Sequence, residues 1–203
     1  MKLNLYQKTA ITTVAATLLL IFVGGLVRAA GAGLGCPDWP QCFGMWIPPV
    51  SASELPPGYD ATLFNPLHTW MEYINRLIGV VIGLLITATF VISFKYRKED
   101  PAVTISSGIA FVLVLFQGWL GGQVVKSGLH AGMITIHMVV AMLILAFLLY
   151  AAFKAMNREL QIEIPDLVRR NLLWIMGITL FLSLAQLVLG TQVREQIDVA
   201  KNV

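Results

Sequence analysis

Apolar residues run along this chain in long blocks. Five of them, at about 10–27, 73–94, 103–125, 133–153 and 171–193, approach the roughly 20 residues that carry a helix across a bilayer. The connections between them are short, apart from one polar stretch at 28–72. The pattern predicts an all-α integral membrane protein with no room for a soluble domain.

Composition agrees. Hydrophobic types make up 57% of the 203 residues and charged types 12%. Soluble domains carry about 25% charged residues, so an ordinary soluble enzyme, a disordered tail and a nucleic-acid binder are all excluded. The placement of charge is more informative than its sum of 14 basic against 11 acidic residues. Nine cations (Lys2, Lys8, Lys95, Arg97, Lys98, Lys154, Arg158, Arg169 and Arg170) fall on alternate connections. Four (Arg28, Lys126, Arg194 and Lys201) fall on the others, and Arg76 lies inside the second block. Cytoplasmic loops carry the Lys/Arg excess. The expected orientation in a bacterial-type inner (plasma) membrane therefore has the N-terminus cytoplasmic and the 28–72 loop and C-terminus outside. The first block starts basic and ends in small residues, as a cleaved signal does. Its roughly 18 apolar residues exceed a signal's core, and Arg28 stands where a peptidase needs neutral residues, so it reads as a retained span.

Both cysteines, Cys36 and Cys42, lie in the long loop with Pro37 and Pro40 between them. On the outer side a disulfide persists. The pair reads as a loop staple, a redox-active couple or part of a metal site, the last disfavoured because two thiolates leave a coordination shell mostly empty. The third block contains Gln117-x-x-x-Gly121-x-Gln123-Val124 and the fifth Gln186-x-x-x-Gly190-x-Gln192-Val193; the first and fifth share Gly24-x-x-x-Arg28 and Gly190-x-x-x-Arg194. The common depth and direction suggest an internal repeat of four helices, with the fifth opening a second unit.

Ionisable residues inside a span are rare and usually functional. His68, Glu72 and Asn75 recur at helical spacing at the start of the second block, and Arg76 stands four residues from Glu72. His137 lies early in the fourth block, with His130 just before it. Trp70 and Tyr73 suit a membrane interface, so the first group also reads as a plain anchor. Neutral imidazole is a good iron ligand, and bundle cofactor sites draw on facing helices. The cluster suggests a haem pocket near the outer surface, with iron on His137 and propionates on Arg76 or Arg28. A quinone site or a proton path competes with it.

The segments GGLVRAAGAGLGCPDWPQCFG (24–44), HTWMEYINRLIG (68–79), QGWLGGQVVKSGL (117–129) and the helix around His137 resemble the heme A synthase family, membrane assembly factors for haem-copper oxidases. The resemblance covers nearly the whole chain. It implies an eight-helix pseudo-symmetric architecture of two four-helix halves, and oxidation of a methyl group of heme O to the formyl group of heme A. On that reading residues 1–160 are the N-terminal four-helix haem-binding half, and 161–203 are a cytoplasmic linker with the first helix, 171–193, of an incomplete second half. Heme b and/or heme O is the bound group. Glu72 matches the family glutamate linked to the oxidation, His137 the fourth-helix haem ligand, Arg76 the arginine closing the second-helix motif, and Cys36 and Cys42 a loop pair that forms a disulfide in some members. Asn75 departs from the pattern, because many members have histidine there. Either His68 supplies the second ligand or the iron has one.

The leading expectation is a haem-modifying oxidoreductase with Glu72 as the catalytic carboxylate. A non-enzymatic haem-binding assembly or electron-transfer protein is the alternative, and a thiol oxidoreductase using Cys36 and Cys42 the third. Expected partners are the haem substrate, the bilayer, a second half-protein or another copy, heme O synthase and terminal oxidase subunits, with no nucleic acid.

Overall fold

A computed structural model describes residues 3–156 and 165–201. The expected boundary at 160/161, the cations Lys2 and Arg158 and the side chain of Lys201 lie outside the described residues. The chain forms five long helices: α1 (Leu5–Ala29), α2 (Pro66–Ser93), α3 (Pro101–Lys126), α4 (Ala131–Met156) and α5 (Asp166–Lys201). All five are long and apolar enough to cross a membrane. This is the helical membrane protein expected from the hydrophobic blocks.

The helices begin where capping chemistry allows. Asn4 and Gln7 form a reciprocal capping box at α1. Asn65 accepts the His68 N–H, and Pro66 occupies the first turn of α2, where its missing N–H costs nothing. That cap starts α2 seven residues before the apolar block at 73. The polar sequence His68 to Arg76 is therefore helical, and the long connection shrinks to 30–65. Between α3 and α4 the chain reverses through two left-handed residues, Gly128 (φ 63°) and Leu129 (φ 64°).

Helices α1 and α3 each pack against both α2 and α4. The first four helices thus form a bundle with α2 and α4 on one diagonal and α1 and α3 on the other. Its middle is apolar: Ile82, Ile86, Ala110, Leu120, Val140, Ile144 and Leu148. Outward faces expose Leu19, Phe22, Leu84, Val112 and Leu115, as a lipid-facing surface does. Helix α5 packs on α4 and buries little beyond Thr191. It is held near one end by Thr135–Thr191 (2.6 Å), by Glu195 Oε1 accepting the Ala131 N–H (3.1 Å), and by Arg28–Asp198 (2.8 Å). Residues 30–65 fold over the bundle end formed by the C-termini of α1 and α3 and the N-termini of α2 and α4. That end is called the capped end below, and the other the far end.

Candidate functional site

The cap is a small core in its own right. Cys36 and Cys42 are joined in a disulfide with Cα atoms 4.8 Å apart. Phe43 is buried beside it, and Leu55, Tyr59, Phe64 and Tyr73, partly buried, pack around it, with Phe43 edge-on to Tyr59 (5.2 Å) and Phe64 (5.5 Å). The pair is bonded to itself and buried, as a loop staple is. Asp38 accepts the N–H groups of Phe43 (2.6 Å) and Gly44 (2.7 Å), which secures the turn where both residues take positive φ.

Two glycines let the cap sit close. A Cβ on Gly35 would stand 2.3 Å from the His68 carbonyl oxygen, so only glycine fits against that turn of α2. The Thr69 hydroxyl donates to the Gly35 carbonyl at 2.8 Å. A Cβ on Gly122 would stand 2.6 Å from the Trp39 ring, so the indole rests directly against α3, and the Arg76 guanidinium lies over the ring, 5.0 Å from its centroid.

Glu72 and Arg76 pin this loop from below. Glu72 is buried at 5% exposure. Its Oε2 accepts the Cys36 N–H (2.9 Å), and its Oε1 accepts Arg76 Nε (3.2 Å) and Nη2. Arg76 Nη1 donates to the carbonyls of Asp38 and Gln41, both at 2.9 Å, and Nη2 to that of Cys36 at 3.3 Å. All five guanidinium N–H donors are then engaged. None is left for a propionate in this arrangement, and Arg28 is likewise paired, with Asp198. The structure therefore joins Glu72 and Arg76 to the disulfide loop, a link that spacing within the second block did not suggest.

One turn further into the bundle the chemistry changes. Asn75 Oδ1, Gln117 Oε1 and His137 Nδ1 are buried and have no hydrogen-bond partner. Each leaves a desolvation cost unrelieved. Asn75 lies over α1: a Cβ on Gly24 would stand 3.8 Å from its Oδ1. His137 lies over α3: a Cβ on Gly121 would stand 3.6 Å from its Cε1. Gly24 and Gly121 are each five residues from the capped ends of their helices, about 7.5 Å in at 1.5 Å per residue. Asn75 and His137 therefore sit at one depth, on diagonally opposed helices, each beside a glycine on a flanking helix. Gln117 ties the level together by donating Nε2 to the His137 carbonyl at 3.0 Å.

Of the remaining expected residues, His68 stands in the first turn of α2 under the loop, and Arg28 faces α5. His130 Nδ1 accepts the Gly132 N–H at 3.2 Å. Among the described residues no three His, Cys, Asp or Glu side chains converge as a metal-ion site. Sequence reasoning passed over Trp39 and Gly35, whose roles depend on contacts between distant segments. It noted Gln117 only as part of a repeat, although a glutamine within an apolar run is itself a signal.

Residues 7–201 match the family model described as cytochrome oxidase assembly protein. The chain is similar to the heme A synthase of Shewanella oneidensis, 30% identical over 183 residues that cover 88% of this chain and 53% of the relative. It is similar to that of Ehrlichia canis, at 32% over 158 residues, covering 67% and 45%. The Wolbachia sp. subsp. Brugia malayi heme A synthase shares 27% over 194 residues, covering 85% and 57%. The chain spans about half the length of the curated relatives it matches. No solved structure matches it.

Proposed function

Because the chain belongs to the cytochrome oxidase assembly protein family, we propose that it is a heme A synthase-type membrane oxidoreductase, or the haem-binding part of one. In this reading a methyl group of heme O is oxidised to the formyl group of heme A for terminal oxidases. Heme b and/or heme O binds beneath the cap. The observation that carries the reading is the set of three buried, unpartnered polar atoms, on Asn75, Gln117 and His137, in the capped half of the bundle. Native interiors leave few such atoms, and each calls for an explanation.

The residues fit a flat macrocycle. His137 offers an imidazole, and Gly24 and Gly121 remove side chains from the two helices flanking the α2–α4 diagonal. When bound, the haem iron supplies the redox chemistry. The protein does the rest. His137 fixes the depth of the ring, and Gln117 fixes α4 against α3 at that depth. The Cys36–Cys42 loop, locked by Glu72 and Arg76, keeps bulk water out. Glu72, one turn from Asn75 and buried, is the proton acceptor for the oxidised carbon, at the oxygen that otherwise holds the Cys36 N–H. The Lys/Arg distribution supports a cytoplasmic N-terminus with the cap outside, and so does a disulfide, which persists in an oxidising compartment. The bilayer, a second half-protein or copy, heme O synthase and oxidase subunits follow as partners.

The test is product analysis. The full chain in lipid is incubated in air with heme O and an added electron acceptor, which takes the four electrons released when the methyl becomes a formyl group, and extracted haems are separated. Heme A is the expected product. Glu72→Gln, which keeps an acceptor for Cys36, should retain bound haem and lower the rate about 100-fold or more; a wild-type rate removes the carboxylate from the reaction. Haem binding without product in the unaltered chain supports the second reading, a non-enzymatic haem-binding assembly or electron-transfer protein.

A further inference from the structure

At this level α2 and α4 are chemically unequal. On α4 stands an imidazole, and at the same depth on α2 stands a carboxamide, each with a buried atom lacking a partner. Every other imidazole in the chain is placed elsewhere. His68 is seven residues before Asn75 on the same helix, so it lies about 10 Å nearer the capped end. It cannot be lowered, because its N–H is held by Asn65 and its carbonyl is pressed against Gly35. His130 is in the turn before α4, with Nδ1 engaged by Gly132. Both cysteines are in the disulfide. Gln117 is on α3, beside His137 rather than opposite it.

Resting on the haem reading above, we infer that His137 is the only protein ligand to the iron at this level of the bundle, and that Asn75 faces an open coordination position for a small neutral ligand. An amide is a very poor iron ligand. It is a good hydrogen-bonding group, presenting two donors and an acceptor from one rotor. Placed opposite a single imidazole, it meets whatever small molecule the iron takes up. The polarity and hydrogen-bond donors of that side decide how such a molecule is held. The geometry gives Asn75 the role of a positioning residue: its unpartnered oxygen can accept from a ligand that carries a proton, such as water, and its amide N–H groups can donate to one that does not. Gly24 supports the same arrangement from α1, since any side chain there would approach the amide.

The experiment uses the full chain in nanodiscs, loaded with iron protoporphyrin IX and read by absorption, electron paramagnetic resonance and carbon monoxide binding. The expected ferric form is high-spin, and the ferrous form binds carbon monoxide. Asn75→His should give a low-spin spectrum and abolish carbon monoxide binding. Asn75→Leu should keep carbon monoxide binding but raise the C–O stretching frequency, because the bound ligand loses its hydrogen-bond donor. His68→Ala should leave every spectrum unchanged. A low-spin unaltered protein that rejects carbon monoxide overturns the inference while leaving the haem reading intact. So does a His68→Ala variant with an altered spectrum, or a C–O frequency indifferent to Asn75→Leu. An unaltered chain that shows no Soret band overturns both.

Discussion

The two halves of one bundle treat buried polar groups differently. Toward the far end each finds a partner. Tyr6, fully buried, meets the Ser107 hydroxyl at 2.9 Å. Thr13 meets Thr89 at 2.8 Å, and Thr104 donates to the Ser93 carbonyl at 2.8 Å. Toward the capped end, on the same helices, Asn75, Gln117 and His137 keep unpartnered atoms. Outside the bundle, among the described residues, such an atom recurs only at Arg194 Nε on α5, 3.1 Å from Asp198 Oδ1. Hydroxyl pairs and hydroxyl-to-carbonyl bonds are the ordinary glue between membrane helices. The far half therefore shows that this bundle can satisfy its polar groups with side chains at hand. Where it does not, the residues are arranged for something other than each other.

The sharpest way to break this contrast is at His137. His137→Ala should remove the bound-haem Soret band entirely while circular dichroism stays helical. An unchanged band moves the haem elsewhere and leaves the capped half as merely badly packed. The next largest effect lies in the cap. Arg76→Ala leaves the Glu72 carboxylate buried with no cation beside it, and breaking a buried pair this way costs about 3–5 kcal/mol. Limited proteolysis within 46–63 should accelerate accordingly, and thermal unfolding should fall. Wild-type protection in that variant would mean the disulfide and aromatic core hold the cap unaided.

The contrast was only half legible in the sequence. Five helices followed from apolar blocks, because a spanning helix must be long and continuous. The polar start of α2 escaped that rule, since hydropathy reads solvent preference and not helicity; Asn65 and Pro66 carried the missing signal. Glu72, His137 and the cysteines stood out because charge, imidazole and thiol are conspicuous in an apolar chain. What joins them did not. The carbonyls of Cys36, Asp38 and Gln41 that bind Arg76 belong to every residue type, so nothing in the sequence marks them as ligands. The close approach at Gly35 depends on a chain segment 33 residues away and has no local signature.

The smallest effect discriminates the halves by sign, and it is measured on haem-free protein. Tyr6→Phe removes one member of a satisfied pair. Hydrogen bonds between membrane helices are worth about 0.6 kcal/mol on average and up to about 1.7. Ser107 can still donate to the Val103 carbonyl, one turn back at 2.8 Å, which puts the loss near the average. Asn75→Leu removes a group that already lacks a partner at its buried oxygen, and replacing an unsatisfied polar atom by an apolar one is neutral or stabilising. Reversible unfolding in mixed detergent should then show Tyr6→Phe lowering stability and Asn75→Leu leaving it level or raising it. Equal losses at both positions would mean that Asn75 is bonded in the membrane after all. The capped half would then be as self-satisfied as the far one.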